Sequence, residues 1–329
     1  MLTKIERIQN AIKGDKVDRY PFSFWTHLPD VDLDPVKLAD ATYDFYKTFD
    51  VDLIKTMNNG MYAIEDYGCE IDYSEIKKGG VGKLVNTPIK SYEDFKKILP
   101  IKLDDSKAFN RELYSLKLLL NKVKEEKVPV IFTVFSPLTI ANKLCGGKIL
   151  EYIENDKDNL VRVALDNILK TNIELVKAAN DSGASGIFLA TQMANYDICP
   201  VDVYKKYGAY YDTKMLKASD GFANILHCHG NNIMFNLLKD YPTDIFNWHA
   251  HESKPDLLEA RKANKCLMAG IVRNDITNSN WDNIKFQIDE LVDVYHADKH
   301  IIAPGCVIRY PVNKEILLQM TDYIKNLKL

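Results

Sequence analysis

The chain has 329 residues, of which 46% are hydrophobic and 27% charged, with a formal net charge of -3. Such a composition belongs to a water-soluble globular protein, and its charge excludes a general attraction to nucleic acid or to an anionic membrane surface. No apolar run approaches the ~20 residues that span a bilayer.

The opening stretch, MLTKIERIQNAIKGDKVDR, is amphipathic and charged and reads as a helical extension. It lacks the uninterrupted apolar core of a signal peptide, so a cytoplasmic location is expected. Short β-like runs then alternate with helical patterns. The runs at 20–25, 52–57, 128–135, 186–191, 223–229, 244–249, 266–271 and 300–304 make eight strands. Their apolar, β-branched content without strict alternation suits strands buried on both faces. Helical periodicity covers 35–49, 159–181, 201–219, 231–240, 254–264, 280–297 and 312–327. The first of these starts Asp34-Pro35, an N-cap followed by proline at the first helical position. Residues 58–127 break the rhythm and read as an insert over the barrel mouth, beginning with a β-hairpin turning at Gly79-Gly80 and continuing into a helix.

Strand–helix alternation implies parallel strands joined by right-handed crossovers. Eight such units predict a closed (β/α)8 TIM barrel, one α/β domain over 1–329, with the hairpin insert between strands two and three. An open doubly wound sheet is the alternative, but no GxGxxG or GxxxxGKS/T loop supports it.

Barrels of this kind carry their chemistry at the C-terminal ends of the strands. There the chain places His227 and His229 (LHCHG), His249 (FNWHAH) and Cys306 (APGC). Residues at i and i+2 of a strand share a face, so His227 and His229 point one way and Cys228 the other. Imidazole and thiolate are ligands that zinc prefers, so these residues point to a metal site late in the chain. His249 ends another strand and could be a ligand or a general acid/base, while Gln192 and His27, after two further strands, are candidates for orienting a substrate. Glu252 lies beside His249, while His251 is expected to face solvent. Arg273 and Arg309 follow the last two strands and can hold a carboxylate bidentately. His296 and His300 precede the last strand and read as structural. The six cysteines are scattered without a CxxC pair and read as reduced thiols. His-x-His on a barrel strand also occurs in metal-dependent hydrolases, which put the pair on the first strand and an Asp on the last.

Taken together, ERIQNAIKGDKVDRYPFSFW, DSGASGIFLATQ, NILHCHGNN and APGCVI resemble the uroporphyrinogen decarboxylase family, across essentially the whole chain. The last two resemble the H-x-C-G and G-C motifs of its corrinoid-dependent methyltransferase branch. Two departures stand against the decarboxylase reaction. The arginine-rich stretch that in the decarboxylases follows strand one reads WTHLPDVD here, and Asn58 and Asn59 replace an Asp after strand two. An acidic tetrapyrrole would leave unpaired charge in such a site.

The resemblance implies a zinc-dependent methyltransferase or demethylase. It would act on a thiol or small methylated substrate, with a corrinoid carried by a partner protein. Zinc would lie on His227, His229 and Cys306, and Arg273, Arg309 and Asn58 would contact a cofactor. Decarboxylation, using Lys55, Arg273 and Arg309 as anchors, and a non-catalytic corrinoid- or metal-binding role are the alternatives. A homodimer is the expected assembly.

Overall fold

The computed structural model describes residues 1–76 and 82–329. Among them nine strands follow along the chain: β1 (Ile54–Lys55), β2 (Glu70–Asp72), β3 (Lys83–Asn86), β4 (Val130–Phe135), β5 (Gly186–Thr191), β6 (Ile225–Cys228), β7 (Ile245–Trp248), β8 (Cys266–Ile271) and β9 (His300–Pro304). Seven of them form one curled parallel sheet in the order β1-β4-β5-β6-β7-β8-β9, and β2 and β3 form a separate antiparallel pair. The fold is TIM-barrel-like. Every residue of β5, β6, β7, β8 and β9 is buried, as expected for parallel strands covered by helices on one side and by packed side chains on the other.

The run at 20–25, expected as a full strand, pairs regularly only at Phe22, with Ile302, and a second isolated bridge joins Thr26 to Ile308. The segment nevertheless links the two ends of the sheet. Ile302 N donates to Pro21 O (2.9 Å), Ser23 N to Ile302 O (3.0 Å) and Asp52 N to Phe22 O (2.9 Å). Two features thin the ladder. Pro21 has no N–H to give, and Phe22 N donates to the Asp52 side chain at 3.1 Å instead of to a neighbouring strand.

The helix Pro35–Phe49 starts where Asp34 accepts from Val36 N and Lys37 N. The long pattern at 159–181 forms Leu160–Asp181. Other helices are shorter than their periodicity. The pattern at 231–240 yields only Phe235–Leu238, because Asn232 and Ile233 are drawn into bridges with Lys254 and Asn195 across the mouth. The pattern at 254–264 becomes Leu257–Ala260 and a 3-10 turn, Arg261–Ala263. In the insert, β2 and β3 supply the expected hairpin, but its Gly79-Gly80 turn lies outside the described residues. After the hairpin comes a 3-10 turn, Tyr92–Lys97, and the helix Lys107–Val123. Among the described residues no helix is long and apolar enough to cross a membrane.

Candidate metal centre and adjoining cavity

Four side chains meet at the C-terminal ends of β6, β7 and β9. One ligand atom from each of His227, His229, His249 and Cys306 lies within 4.8 Å of the other three. His227 and His229 come from β6 and the residue just past it, where His229 N still donates to Thr191 O at 3.0 Å. This extends the ladder with β5 and keeps both rings on one face. Their centroids are 6.0 Å apart, and that of His249 lies 5.1 Å from His229 and 6.1 Å from His227. The Cys306 sulfur is 3.7 Å from His229 Nδ1. Gly305 makes this approach possible, because a Cβ there would sit 2.7 Å from the His249 Cα. Cys228 faces the opposite way and is fully buried, and His251 is exposed.

A neighbouring amide sets the chemistry of His227. Asn247 is paired with it across the β6–β7 register, and His227 Nδ1 lies 2.5 Å from Asn247 Oδ1. The Asn247 amide nitrogen donates to Met268 O, and to Pro304 O at 3.3 Å. Those two carbonyls accept only from N–H, so they turn the amide oxygen toward His227. The imidazole therefore carries its proton on Nδ1, and Nε2 is left as a lone-pair donor. His249 Nδ1 lies 3.5 Å from Glu252, and its Nε2 is buried with no hydrogen-bond partner.

All three imidazoles are held neutral. Burial pushes His227 well below the usual histidine range, with His229 and His249 adding to the effect. Burial, then Arg273 and Lys143, lowers His229. Burial, then His229 and Arg273, lowers His249 to about 4. The Cys306 thiol is pushed up by burial against the opposing influence of Arg273, whose Nη1 lies 3.3 Å from the sulfur. Three neutral imidazoles, one of them with an orphaned buried nitrogen, and a thiol match the donors zinc takes. His249 thus stands at the cluster beside the three residues read as ligands.

Beside the cluster is a cavity of about 220 Å³ whose walls include His27, Asp32, Asn59, Met61, Lys143 and Gln192. Gln192 of the cavity wall directly follows Thr191, whose carbonyl accepts from His229 N, so the cavity and the cluster adjoin. Burial pushes His27 down to about 4, with Lys55 and Lys143 adding to the effect. Lys55 is 8% exposed, lies 4.8 Å from the centre of the Phe188 ring, and is lowered to about 7 by burial.

The structure does not bring Asn58 or Arg309 to this site in the way the sequence implied. The Asn58 amide is used internally, donating to Glu112 at 2.9 Å, and Asn59 lines the cavity in its place. Arg309 is exposed. Arg273 reaches the cluster, but against the cysteine sulfur rather than a carboxylate.

A family model described as uroporphyrinogen decarboxylase (URO-D) matches residues 3–327. The chain belongs to the uroporphyrinogen decarboxylase family. No curated protein sequence matches it. Among solved structures, a methyltransferase from Methanosarcina mazei superposes with a TM-score of 0.72 at 18% identity, covering 98% of each chain. A B12-independent methionine synthase from Shewanella, in complex with selenomethionine, gives 0.56 at 11% identity, covering 93% of this chain and 91% of that one. At such identities the likeness is one of fold.

Within this uroporphyrinogen decarboxylase family chain, the sequence reading passed over Asn247, Asp32 and Lys143. Asn247 carries a usable signal: it lies two residues before His249 in FNWH, so strand parity turns it inward with the histidines. Asp32 and Lys143 sit in a loop and a post-strand helix, where no periodicity reveals the direction of a side chain.

Proposed function

We propose that this protein is a zinc-dependent methyltransferase, or demethylase, that acts on a thiol or a small methylated substrate. The methyl group would be carried by a corrinoid on a partner protein docked at the barrel mouth. The observation that carries this reading is the convergence of His227, His229, His249 and Cys306 within 4.8 Å. The fold shared with a structure named a methyltransferase, along 98% of both chains, supports it.

Zinc on such donors supplies Lewis acidity and keeps a bound thiol deprotonated at neutral pH. The protein's own residues do the rest. His227, His229 and Cys306 hold the ion, and Asn247 locks the His227 tautomer. His249, oriented by Glu252, keeps an unprotonated Nε2 at the cluster and accepts the proton of the incoming thiol. Gln192 and His27 wall the cavity and orient the substrate, and burial keeps bulk water from the reacting sulfur. Decarboxylation of a tetrapyrrole is poorly served by this geometry. The cavity of about 220 Å³ is smaller than the roughly 300–1,000 Å³ of drug-sized ligand sites.

Metal analysis of the purified protein tests the reading, together with methyl transfer from free methylcobalamin to a small thiol. Wild type is expected to carry one zinc per chain and to turn over. His227→Ala and Cys306→Ser are expected to lose both properties. Full zinc content in the two variants would remove these residues from the metal site.

A further inference from the structure

Methyl transfer makes no use of Asp32, although it is placed as a ligand contact would be. It is 4% exposed, and its Oδ1 has no hydrogen-bond partner. Asn59 lines the same cavity, and burial pushes the Asp32 carboxyl up to about 6. Arg111, the nearby cation, is already taken. Its Nη1 and Nη2 bind Glu65 at 3.0 and 2.7 Å, and its Nε binds Glu112 at 3.0 Å.

Lys143 lines the same cavity. Its ammonium donates to Gly60 O at 3.3 Å and lies 4.9 Å from the centre of the Phe135 ring. Burial lowers it to about 8, and the one group that opposes this is the distant-acting Cys69. Among the described residues, neither Asp32 nor Lys143 is in a salt bridge. Asp32 is buried and Lys143 half-buried, and a charge held in such surroundings without an ion partner is costly. Two such charges of opposite sign in one small cavity, not spent on each other, complement a ligand that carries both. Met61 and Phe135 supply apolar wall between them. A cavity of about 220 Å³, below the roughly 300–1,000 Å³ of drug-sized sites, suits a ligand on the scale of a single amino acid.

We propose that this cavity binds a small zwitterion of the α-amino acid class, its ammonium group on Asp32 and Asn59, its carboxylate on Lys143, and its sulfur turned toward the His/Cys cluster. The position of the sulfur rests on the methyl-transfer reading. The two charged ends rest on the cavity alone.

Calorimetric titration of the full chain at neutral pH tests this with L-methionine and two analogues, 4-(methylthio)butanoate, which lacks the ammonium, and 3-(methylthio)propylamine, which lacks the carboxylate. Methionine is expected to bind wild type at least about tenfold more tightly than either analogue, a difference of about 1.4 kcal/mol. Asp32→Asn should close the gap to the butanoate and leave the gap to the amine. Lys143→Met should do the reverse. The proposal is overturned if methionine gives no saturable binding, or if either analogue binds wild type as well as methionine does, a comparison that needs no variant. Repeating the titrations on Cys306→Ser separates the two readings. A missing metal site leaves the preference for both charged ends intact, whereas a wrong cavity assignment abolishes it in the zinc-loaded protein as well.

Discussion

Asn247 decides which nitrogen His227 can offer. Its amide is pinned by two backbone carbonyls, and its oxygen faces Nδ1. Replacing it with leucine removes the acceptor while filling most of the space, and the ring is then free to rotate or to change tautomer. Outer partners of metal-bound histidines typically contribute about 10–100-fold in affinity. Asn247→Leu is therefore expected to weaken zinc binding by about that factor in a competition titration against a chelating dye. Unchanged affinity in a folded leucine variant would mean that packing alone holds the ring. Strand parity made His227 and His229 legible in the sequence, and Pro304-Gly305 marked the exit that presents Cys306. Asn247 becomes legible only with the register that sets it opposite His227. No local pattern contains that cross-strand fact.

At the scale of elements, the exits of the strands carry the site. The backbone after β9 runs so close to β7 that a Cβ on residue 305 would meet the His249 Cα at 2.7 Å and the Trp248 carbonyl oxygen at 2.8 Å. Neither atom belongs to a flexible side chain, so Gly305→Ala must shift one strand end against the other. The expected outcome is a loss of about 1–3 kcal/mol of stability and sub-stoichiometric zinc, read by urea unfolding and metal analysis. Normal values in both would show that the strand ends can yield. On the outer side of β5, Tyr204 bridges Thr191 and the fully buried Asp212, tying the helical segment to the strand. Burial raises the Asp212 carboxyl from 3.8 to about 6. Between those values the native state keeps a proton that the unfolded chain has released, so stability declines as pH rises through that window. At about 1.4 kcal/mol per pH unit the decline amounts to about 3 kcal/mol. Asp212→Asn does not titrate. Its stability relative to wild type should therefore rise by about that amount between pH ~4 and pH ~7 in paired urea curves. A difference flat with pH would place the Asp212 pKa at its ordinary value. Capped helices such as Pro35–Phe49 were readable from Asp34 and Pro35. The loops over the mouth were not, because there long-range bridges override helical periodicity.

For the whole molecule, the decisive event is the closing of the curled sheet, and a buried charge cluster at its lower rim controls it. Alternating strand and helix patterns made the barrel legible, but not the way its two ends join. The sequence pattern at 20–25 reads as an ordinary strand. The structure replaces part of its ladder with Asp52, whose side chain accepts from Phe22 N at 3.1 Å, Arg7 Nη1 at 2.7 Å, and Arg19 Nη1 and Nη2 at 2.7 and 2.8 Å. Arg7 belongs to the first helix, Lys4–Lys13, Arg19 precedes the closing segment, and Asp52 leads into β1. One carboxylate thus joins three stretches of chain that are far apart in sequence. Asp52 is fully buried and Arg7 is 3% exposed, so removing the carboxylate leaves Arg7 Nη1 without its acceptor away from water, while Asp18 still holds Nε and Nη2 at 2.7 and 3.0 Å. Breaking a buried pair from one side typically costs about 3–5 kcal/mol. With Asp18 still pairing Arg7, Asp52→Ala is expected to lose about 3 kcal/mol in urea unfolding, the lower end of that range, and to expose the 20–26 segment to proteolysis before the rest of the barrel opens. A loss under about 1 kcal/mol, the range of a surface ion pair, would mean that the backbone bonds of Pro21, Ser23 and Ile302 close the sheet without help.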